Sequence, residues 1–432
     1  MRLTAPPMGW NSWDCFGTTV TEAEVRANAT FMRDRLSAFG WNVVVVDIAW
    51  YDPAARAHGY NADAPIELDR WGRQFPAPNR FPSSVDSVGF AALAHDVHAM
   101  GLDFGLHIMR GIPRRAVELD LPVFGTDWTA SQIADRDRIC PWNPDNYGLN
   151  HEHPGAQAYY DAQVAQFAAW GVDLIKADDM LAPIHPDDIL AYARAIERSG
   201  RPIALSSSPG TGLSTRHIDL LRETAQMWRI SDDLWDRWDD IHAQFARLAR
   251  WAPFQHAAGW ADADILPLGR IGVRAERGEP RSSMLTSDEQ RTMLTLWAMA
   301  RSPLMLGADL PQTNASTIAL LCNPALRDAL SFAAENAEVV REPAGDGEEI
   351  AWSAPSTRDS RVYAALFFTG STDRTVSIPI GSLVGPTPAS RSYRISDLWG
   401  DARTATIGVD GRLEAAVAPH GVRWFALDTE PA

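Results

Sequence analysis

Two short acidic segments carry the side chains best suited to chemistry, and the first of them is KADD at 176–179. It closes an apolar stretch that is predicted to be a strand, and side chains alternate between the two faces of a strand. Lys176 and Asp178 therefore share a face, and a buried lysine favours the ionised form of a neighbouring carboxylate, as a nucleophile requires. The same pattern also fits a structural ion pair at the end of a strand.

The second segment is WRISDD at 228–233. The same alternation places Arg229 and Asp233 on one face and turns Asp232 away. Asp178 and Asp233 are predicted to end two non-adjacent strands of one barrel, so both carboxylates would lie at its mouth. Such a pair suits glycoside hydrolysis, in which one carboxylate attacks the anomeric carbon and the other protonates the leaving oxygen.

Two other functions compete with this interpretation. Residues 232–236 spell D-D-x-x-D, a magnesium–diphosphate signature of all-α prenyl-transfer folds, but the chain is rich in strand patterns. A non-catalytic sugar-binding barrel would have lost one of the two carboxylates, and both are present. We therefore favour a glycosidase.

The elements that must position these residues follow a regular alternation up to about residue 335. Short apolar strands alternate with longer amphipathic helices, which predicts parallel βαβ units and, at about eight units, a (β/α)8 TIM barrel. Strands are predicted over Asn42–Ile48, Asp103–Met109, Val172–Ala177, Pro202–Ser207, Gln226–Ser231 and Leu304–Gly307. Helices are predicted over Thr21–Gly40, Phe90–Gly101, Pro154–Gly171, Asp187–Gly200, Leu234–Trp251 and Ser287–Arg301, with capping boxes at Thr21-x-x-Glu24 and Thr286-x-x-Glu289.

The pattern changes after about Glu335, where short strands are separated by Gly, Pro, Asp and Ser turns. This predicts a C-terminal antiparallel β-sandwich domain over 336–432, following the barrel at 1–335.

Polar side chains close the predicted barrel strands at Asp47, His107, Asp178, Ser207 and Asp233. In a TIM barrel that end of the strands carries the active site.

Composition narrows the choice of partner. The 39 Lys and Arg against 55 Asp and Glu give a net charge of −16, without a basic run, which argues against nucleic acid and anionic membrane surfaces. No nucleotide-binding glycine motif, secretory signal or membrane-spanning stretch is predicted. Three widely spaced cysteines predict neither a disulfide framework nor a zinc site and favour the cytoplasm. A homo-oligomer is left open.

At this point the sequence resembles glycoside hydrolase family 27, the α-galactosidase family. The matching motifs occur in order over about 300 residues: PMGWNSW at 7–13, VVD at 45–47, Lys176-x-Asp178, Trp228-Arg229-x-x-x-Asp233, GWADAD at 259–264 and SPLMLG at 302–307. The resemblance implies a retaining double displacement with Asp178 as nucleophile and Asp233 as acid/base, and no metal or organic cofactor. It further implies that Trp13 packs near C5 of the sugar, that Asp47 and Lys176 hold the 3- and 4-hydroxyls, and that Arg229 contacts the 2-hydroxyl.

The departures from the family pattern concern specificity. In α-galactosidases a second Asp follows Asp47 and binds the 6-hydroxyl, but here that residue is Ile48. β-L-Arabinopyranose has the stereochemistry of α-D-galactopyranose without the hydroxymethyl group, so Ile48 suggests a β-L-arabinopyranosidase. The segment beginning at His107, where many relatives carry Tyr, resembles that bacterial subgroup. An α-galactosidase with a relaxed C6 site is the alternative.

Two further departures concern the 2-position and the redox state. The Cys-Glu-Trp stretch that binds the 2-hydroxyl in α-galactosidases is replaced by SSSPG at 206–210, and small residues are typical of α-N-acetylgalactosaminidases. We expect instead that Ser207, or a water, binds the hydroxyl. Many secreted relatives pair the equivalent of Cys140 with a Cys that is Met180 here. The missing bridge favours a cytoplasmic enzyme acting on short oligosaccharides or glycosides.

Overall fold

Eight short parallel strands form the central sheet of this computed structural model, which describes residues 3–86, 88–255, 258–385, 392–400, 405–408 and 410–429. The strands are β1 (Met8–Asn11), β2 (Val43–Val46), β3 (Asp103–Met109), β4 (Leu174–Asp178), β5 (Ala204–Ser207), β6 (Met227–Arg229), β7 (Trp260–Asp262) and β8 (Leu304–Leu306). They pair side by side in the order β7-β6-β5-β4-β3-β2-β1-β8. Just beyond β7, Leu266 forms a parallel bridge with Leu306 of β8, which brings the two edges together. The predicted TIM barrel is confirmed.

The strands are buried on both faces, as parallel barrel strands must be. All four valines of β2 are buried, and β3 has the predicted bounds. Strands β1 and β7 were not predicted, because β1 (MGWN) contains Gly and Asn and β7 (WAD) contains Asp, residue types that are depleted in strands.

A helix follows each barrel strand and covers its outer face. The helices are α1 (Glu22–Phe31), α2 (Ala91–Ala99), α3 (Pro154–Trp170), α4 (Pro186–Ser199), α5 (Ile218–Thr224), α6 (Trp238–Trp251), α7 (Ser287–Met299), α8 (Ala315–Leu321) and α9 (Pro324–Phe332). Both predicted capping boxes are present, with Thr21 and Glu24 at α1 and Thr286 and Glu289 at α7. None of the described helices is long and apolar enough to cross a membrane.

Two small antiparallel sheets extend the loops at the carboxyl end of the barrel. The first joins Asn146–Leu149 to Ile112–Pro113 and Ala134–Ile139 after β3, and the second pairs Arg270–Ile271 with Arg281–Ser282 after β7. These insertions stand at the end of the barrel where an active site is expected.

The C-terminal part contains two antiparallel sheets, as predicted. Its strands are β9 (Ala337–Ala344), β10 (Gly347–Pro355), β11 (Arg361–Phe368), β12 (Arg374–Pro379), β13 (Tyr393–Asp397), β14 (Thr406–Ile407), β15 (Arg412–Val417) and β16 (Val422–Thr429), with a short helix at Ile380–Val384. One sheet has the order β9-β10-β11-β16-β13 and the other β12-β15-β14. Leu366, Ile378 and Leu413 belong to the apolar cluster shared by the two sheets. The boundary at 335/336 stays a prediction.

Candidate active site

A cavity of about 260 Å³ opens at the carboxyl end of the barrel strands. Seven of the nine predicted site residues line it: Trp13, Asp47, Ile48, His107, Lys176, Asp178 and Asp233. They follow or close β1, β2, β3, β4 and β6, so residues far apart in the sequence meet at one mouth. Ser207 and Arg229, the other two predicted residues, do not line this cavity.

Strand β4 presents its polar residues as the alternation predicts. Lys176 and Asp178 face the cavity, whereas Ala177 is packed in the main apolar core. Asp179, directly after the strand, has a φ of 59° and turns its carboxylate to Arg110, with 2.6 Å between Oδ2 and Nη2. Asp residues tolerate this left-handed conformation better than most. In this backbone conformation the Asp179 N–H donates a hydrogen bond to Asp178 Oδ1 at 2.9 Å.

The Asp178 carboxylate accepts two further hydrogen bonds. His107 Nε2 donates to Oδ2 at 3.0 Å, and the Ser208 hydroxyl donates to Oδ1 at 2.8 Å. Burial by itself would raise the pKa of Asp178, but His107, the charge of Lys176 and the Ser208 hydrogen bond hold that pKa below its ordinary value. The carboxylate is therefore kept ionised and is fixed in orientation.

The direct partner of Lys176 is Asp47, not Asp178. Lys176 Nζ lies 2.8 Å from Asp47 Oδ2, which also accepts a hydrogen bond from Asn11 Nδ2 at 2.7 Å. Burial would raise the pKa of Asp47, yet the charges of Lys176 and His107 hold it far below its ordinary value. Burial opposes the Lys176 charge as well, but Asp47 and Asp178 raise the pKa of Lys176. The Asp47 carboxylate and the Lys176 ammonium group therefore hold each other in place, and together they present a hydrogen-bond acceptor and a donor to the cavity.

Asp233 reaches the cavity from a loop and not from a strand. Strand β6 ends at Arg229, four residues earlier, so the predicted alternation does not extend to Asp233, and Asp232 lines the cavity too. Asp233 keeps 36% of its side chain exposed, whereas the side chain of Arg229 is 3% exposed. Arg229 Nη2 lies 3.2 Å from Asp233 Oδ1. Arg229 thus supports Asp233 from beneath, and its implied contact with the 2-hydroxyl stays a prediction.

Ser207 faces away from the cavity, which corrects its predicted position. It pairs in register with Ala177 and Trp228, and both of these pack in the core outside the barrel interior. Its neighbour Ser206 pairs with Lys176 and so shares the inward face. The error arose because the sequence shows where the strand lies but does not show which of its alternating side chains point into the barrel.

Several lining residues come from loops and were not predicted: Tyr60, Trp142, Pro209, Glu276 and Arg277. Tyr60 stacks on Trp13 with 5.8 Å between ring centroids, and Trp142 lies 5.9 Å from Tyr60. These rings form an aromatic wall at the mouth, where an indole face could pack on a sugar. Loop residues carry no periodicity, so the strand and helix patterns of the sequence could not place them.

The residues of the D-D-x-x-D motif do not form a shared metal site. Asp236 is buried and bound to Arg281, with 2.9 Å between Oδ2 and Nε, so it is not free to act with Asp232 and Asp233. Across the described ranges, no three His, Cys, Asp or Glu residues are grouped so as to hold a metal ion. The parallel barrel also differs from the all-α folds in which that motif is used.

Comparisons with known proteins agree with this geometry. The family model described as alpha galactosidase A matches residues 148–329, and the alpha galactosidase C-terminal beta sandwich domain matches 346–427. A family 27 β-L-arabinopyranosidase from Geobacillus stearothermophilus is 41% identical, with a TM-score of 0.91 over 99% of this chain and 97% of that one.

More distant relatives include enzymes with other sugar specificities. An α-galactosidase of Cyamopsis tetragonoloba is 25% identical over 98% of this chain and 86% of its own. An α-N-acetylgalactosaminidase of Gallus gallus is 25% identical over 97% and 93%. With the barrel, the sandwich and the paired carboxylates in place, the chain belongs to glycoside hydrolase family 27 and is a glycosidase.

Proposed function

We propose that the protein is a retaining exo-glycosidase that releases terminal β-L-arabinopyranose from short oligosaccharides or glycosides. The observation that carries the specificity is Ile48, which lines the cavity beside the Asp47–Lys176 pair. The similarity to the arabinopyranosidase from Geobacillus stearothermophilus supports the same conclusion.

The proposed reaction has two displacements. The Asp178 carboxylate attacks the anomeric carbon, the bond to the leaving oxygen breaks, and Asp233 gives its proton to that oxygen. In the second step Asp233 takes a proton from water, and the water oxygen displaces Asp178 from the anomeric carbon. The lowered pKa of Asp178 suits the nucleophile, and the half-exposed Asp233 at the mouth suits exchange with water.

The cavity size supports action at a chain end. At about 260 Å³ it lies just below the roughly 300–1,000 Å³ of pockets for drug-sized ligands. One pyranose ring fits this volume better than a run of sugars. The deep wall of Asp47, His107 and Lys176 would bind ring hydroxyls, and Trp13 would cover the apolar side of the ring.

Ile48 discriminates between a sugar with and without a hydroxymethyl group. Its side chain is 1% exposed and belongs to an apolar cluster with Trp13 and Met109. A 6-hydroxyl buried against it would lose its hydrogen bonds to water, at a cost of about 1–3 kcal/mol. Since ~1.4 kcal/mol is a factor of ten, we expect a preference for arabinopyranoside of about 5- to 150-fold.

The test compares kcat/KM for the 4-nitrophenyl glycosides of β-L-arabinopyranose and α-D-galactopyranose. The wild type should prefer the arabinopyranoside by about fivefold or more, and Ile48→Asp should erode that preference. Ile48→Val is the matched control, because it keeps the wall apolar and should keep the preference. Equal or better galactoside turnover that Ile48→Asp does not change would favour an α-galactosidase.

The cysteines support our proposal that the enzyme is cytoplasmic. Cys15, Cys140 and Cys322 are free, and Met180 stands where secreted relatives place the partner of Cys140. Free thiols and the missing bridge support a cytoplasmic enzyme that acts on imported glycosides. Fractionation of the native host, with detection of the enzyme in the soluble cell extract and not in the medium, tests this location.

A further inference from the structure

A buried carboxylate outside the cavity is connected to the proposed acid/base by two routes, through a side chain and through the backbone. Asp264 follows β7 and does not line the cavity, and only 3% of it is exposed. Its Oδ1 lies 2.7 Å from Arg229 Nη1, and Arg229 in turn contacts Asp233 through Nη2 at 3.2 Å. Its Oδ2 accepts a hydrogen bond of 2.7 Å from the backbone N–H of Leu234, the residue directly after Asp233.

The backbone of Asp264 is held in a conformation that aims this carboxylate. Its φ of 90° is unfavourable for a residue with a side chain and persists only when the surroundings enforce it. Here its N–H donates to Asp262 Oδ1 at 2.9 Å, and its carbonyl accepts from Trp297 Nε1 at 3.2 Å. Strained residues of this kind are concentrated at functional sites, which makes a purely space-filling role a poor explanation.

Asp233 lacks the supports that fix Asp178. Asp178 closes a strand and accepts hydrogen bonds from His107 and Ser208, whereas Asp233 is on a loop beyond the end of β6. The connections through Arg229 and through the Leu234 N–H are therefore what limit the movement of the Asp233 carboxylate. Burial raises the pKa of Asp264, the charge of Arg229 opposes this shift, and the nearby charges of Asp233 and Asp262 add to it.

We infer that Asp264 is a positioning residue for proton transfer: through Arg229 and the Leu234 N–H it holds the Asp233 carboxyl at the leaving-group oxygen. This inference rests on the proposed role of Asp233 as acid/base. It assigns no contact between Asp264 and the sugar. Its consequence is that Asp264 matters for substrates whose leaving group needs a proton and little for those whose leaving group departs unaided.

The test measures kcat/KM for 2,4-dinitrophenyl and methyl β-L-arabinopyranosides, or the matching α-galactosides if the wild type prefers them. Dinitrophenolate leaves without protonation, whereas methoxide needs the acid, and general acid catalysis contributes about 10²–10⁴-fold. Asp264→Asn should lower kcat/KM for the methyl glycoside at least about 30-fold and for the dinitrophenyl glycoside less than about threefold. Asp264→Glu keeps the charge with a longer reach and should give an intermediate ratio, and it also serves if Asp264→Asn does not fold.

The control is Asp173→Asn, which removes another buried carboxylate, at the other end of the barrel. Asp173 lies just before β4, and its Oδ1 pairs with Arg201 at 2.6 Å. Loss of the Asp173 charge should therefore weaken the fold, but it should change kcat/KM for the methyl and dinitrophenyl glycosides by the same factor. If the Asp264 variants lower kcat/KM for both glycosides by the same factor, or lower it for neither, the inference is wrong.

Asp233→Ala distinguishes this failure from a failure of the proposed mechanism. It should lower turnover of the methyl glycoside far more than that of the dinitrophenyl glycoside. Loss of this difference in Asp233→Ala would overturn the role of Asp233 itself, whereas its presence in Asp233→Ala and absence in both Asp264 variants would overturn only the role of Asp264.

Discussion

Replacing Lys176 with methionine is the change whose energetic effect the structure defines best. The substitution removes the ammonium group 2.8 Å from Asp47 Oδ2 and keeps a side chain of similar length. Asp47 is 1% exposed and would lose its counter-charge, keeping hydrogen bonds from Asn11 Nδ2 at 2.7 Å and the Ile48 N–H at 2.8 Å. Breaking a buried pair on one side costs about 3–5 kcal/mol, and the two surviving bonds place the expected loss near 3 kcal/mol.

A double-mutant cycle measures whether the pair itself causes that loss. Asp47→Asn leaves Lys176 without its partner, and the double variant removes both charges, so its destabilisation should fall short of the sum by about 2–3 kcal/mol. Urea denaturation of the full chain gives the free energies of unfolding. Arg198→Met is the control, because the Arg198–Asp161 pair is exposed and should be worth less than about 1 kcal/mol.

The pH dependence of this loss has a definite sign. The pKa of folded Asp47 lies below the ~3.9 of an unfolded Asp, so its contribution is present above about pH 4 and is lost as the pH falls through the folded value. The pKa of folded Lys176 lies above the ~10.4 of an unfolded Lys, so its contribution is present below about pH 10. The cost of Lys176→Met should therefore be the same at pH 6 and pH 8. A cost below about 1 kcal/mol, or single effects that simply add, would refute the reasoning.

Three further outcomes are expected. Asp178→Ala and Asp233→Ala should each lose most turnover of the methyl glycoside, and with the dinitrophenyl glycoside azide should give an inverted glycosyl azide in the first and a retained one in the second; full turnover of the methyl glycoside in either variant contradicts the assignment. His107→Leu removes a hydrogen bond that lowers the pKa of Asp178, so the acidic limb of kcat/KM should move to higher pH, and an unmoved limb would count against that role. Treatment with EDTA should leave turnover unchanged, and a loss restored by magnesium would instead favour metal chemistry.

The barrel strands show which elements can be predicted from the pattern of apolar residues in the sequence. Asp103–Met109 has the predicted bounds because its apolar pattern continues over seven residues, whereas β1 and β7 were missed because they contain Gly, Asn or Asp, which are depleted in strands. Within β4 the alternation also predicted that Lys176 and Asp178 share a face. Ser207 pairs in register with Ala177, so the same alternation turns it away from the cavity, and only the register with the neighbouring strand shows this.

The residue types and spacing in the sequence were enough to predict the barrel, the sandwich, and Asp178 and Asp233 as the carboxylates of one site, because strand ends in a parallel barrel must meet at one mouth. Only the tertiary structure decided which partners these residues have. Lys176 forms an ion pair with Asp47, and Asp178 accepts a hydrogen bond from His107. Arg229 forms an ion pair with Asp233. Such contacts join residues up to 129 positions apart, and distance along the chain carries no information about which of them will touch.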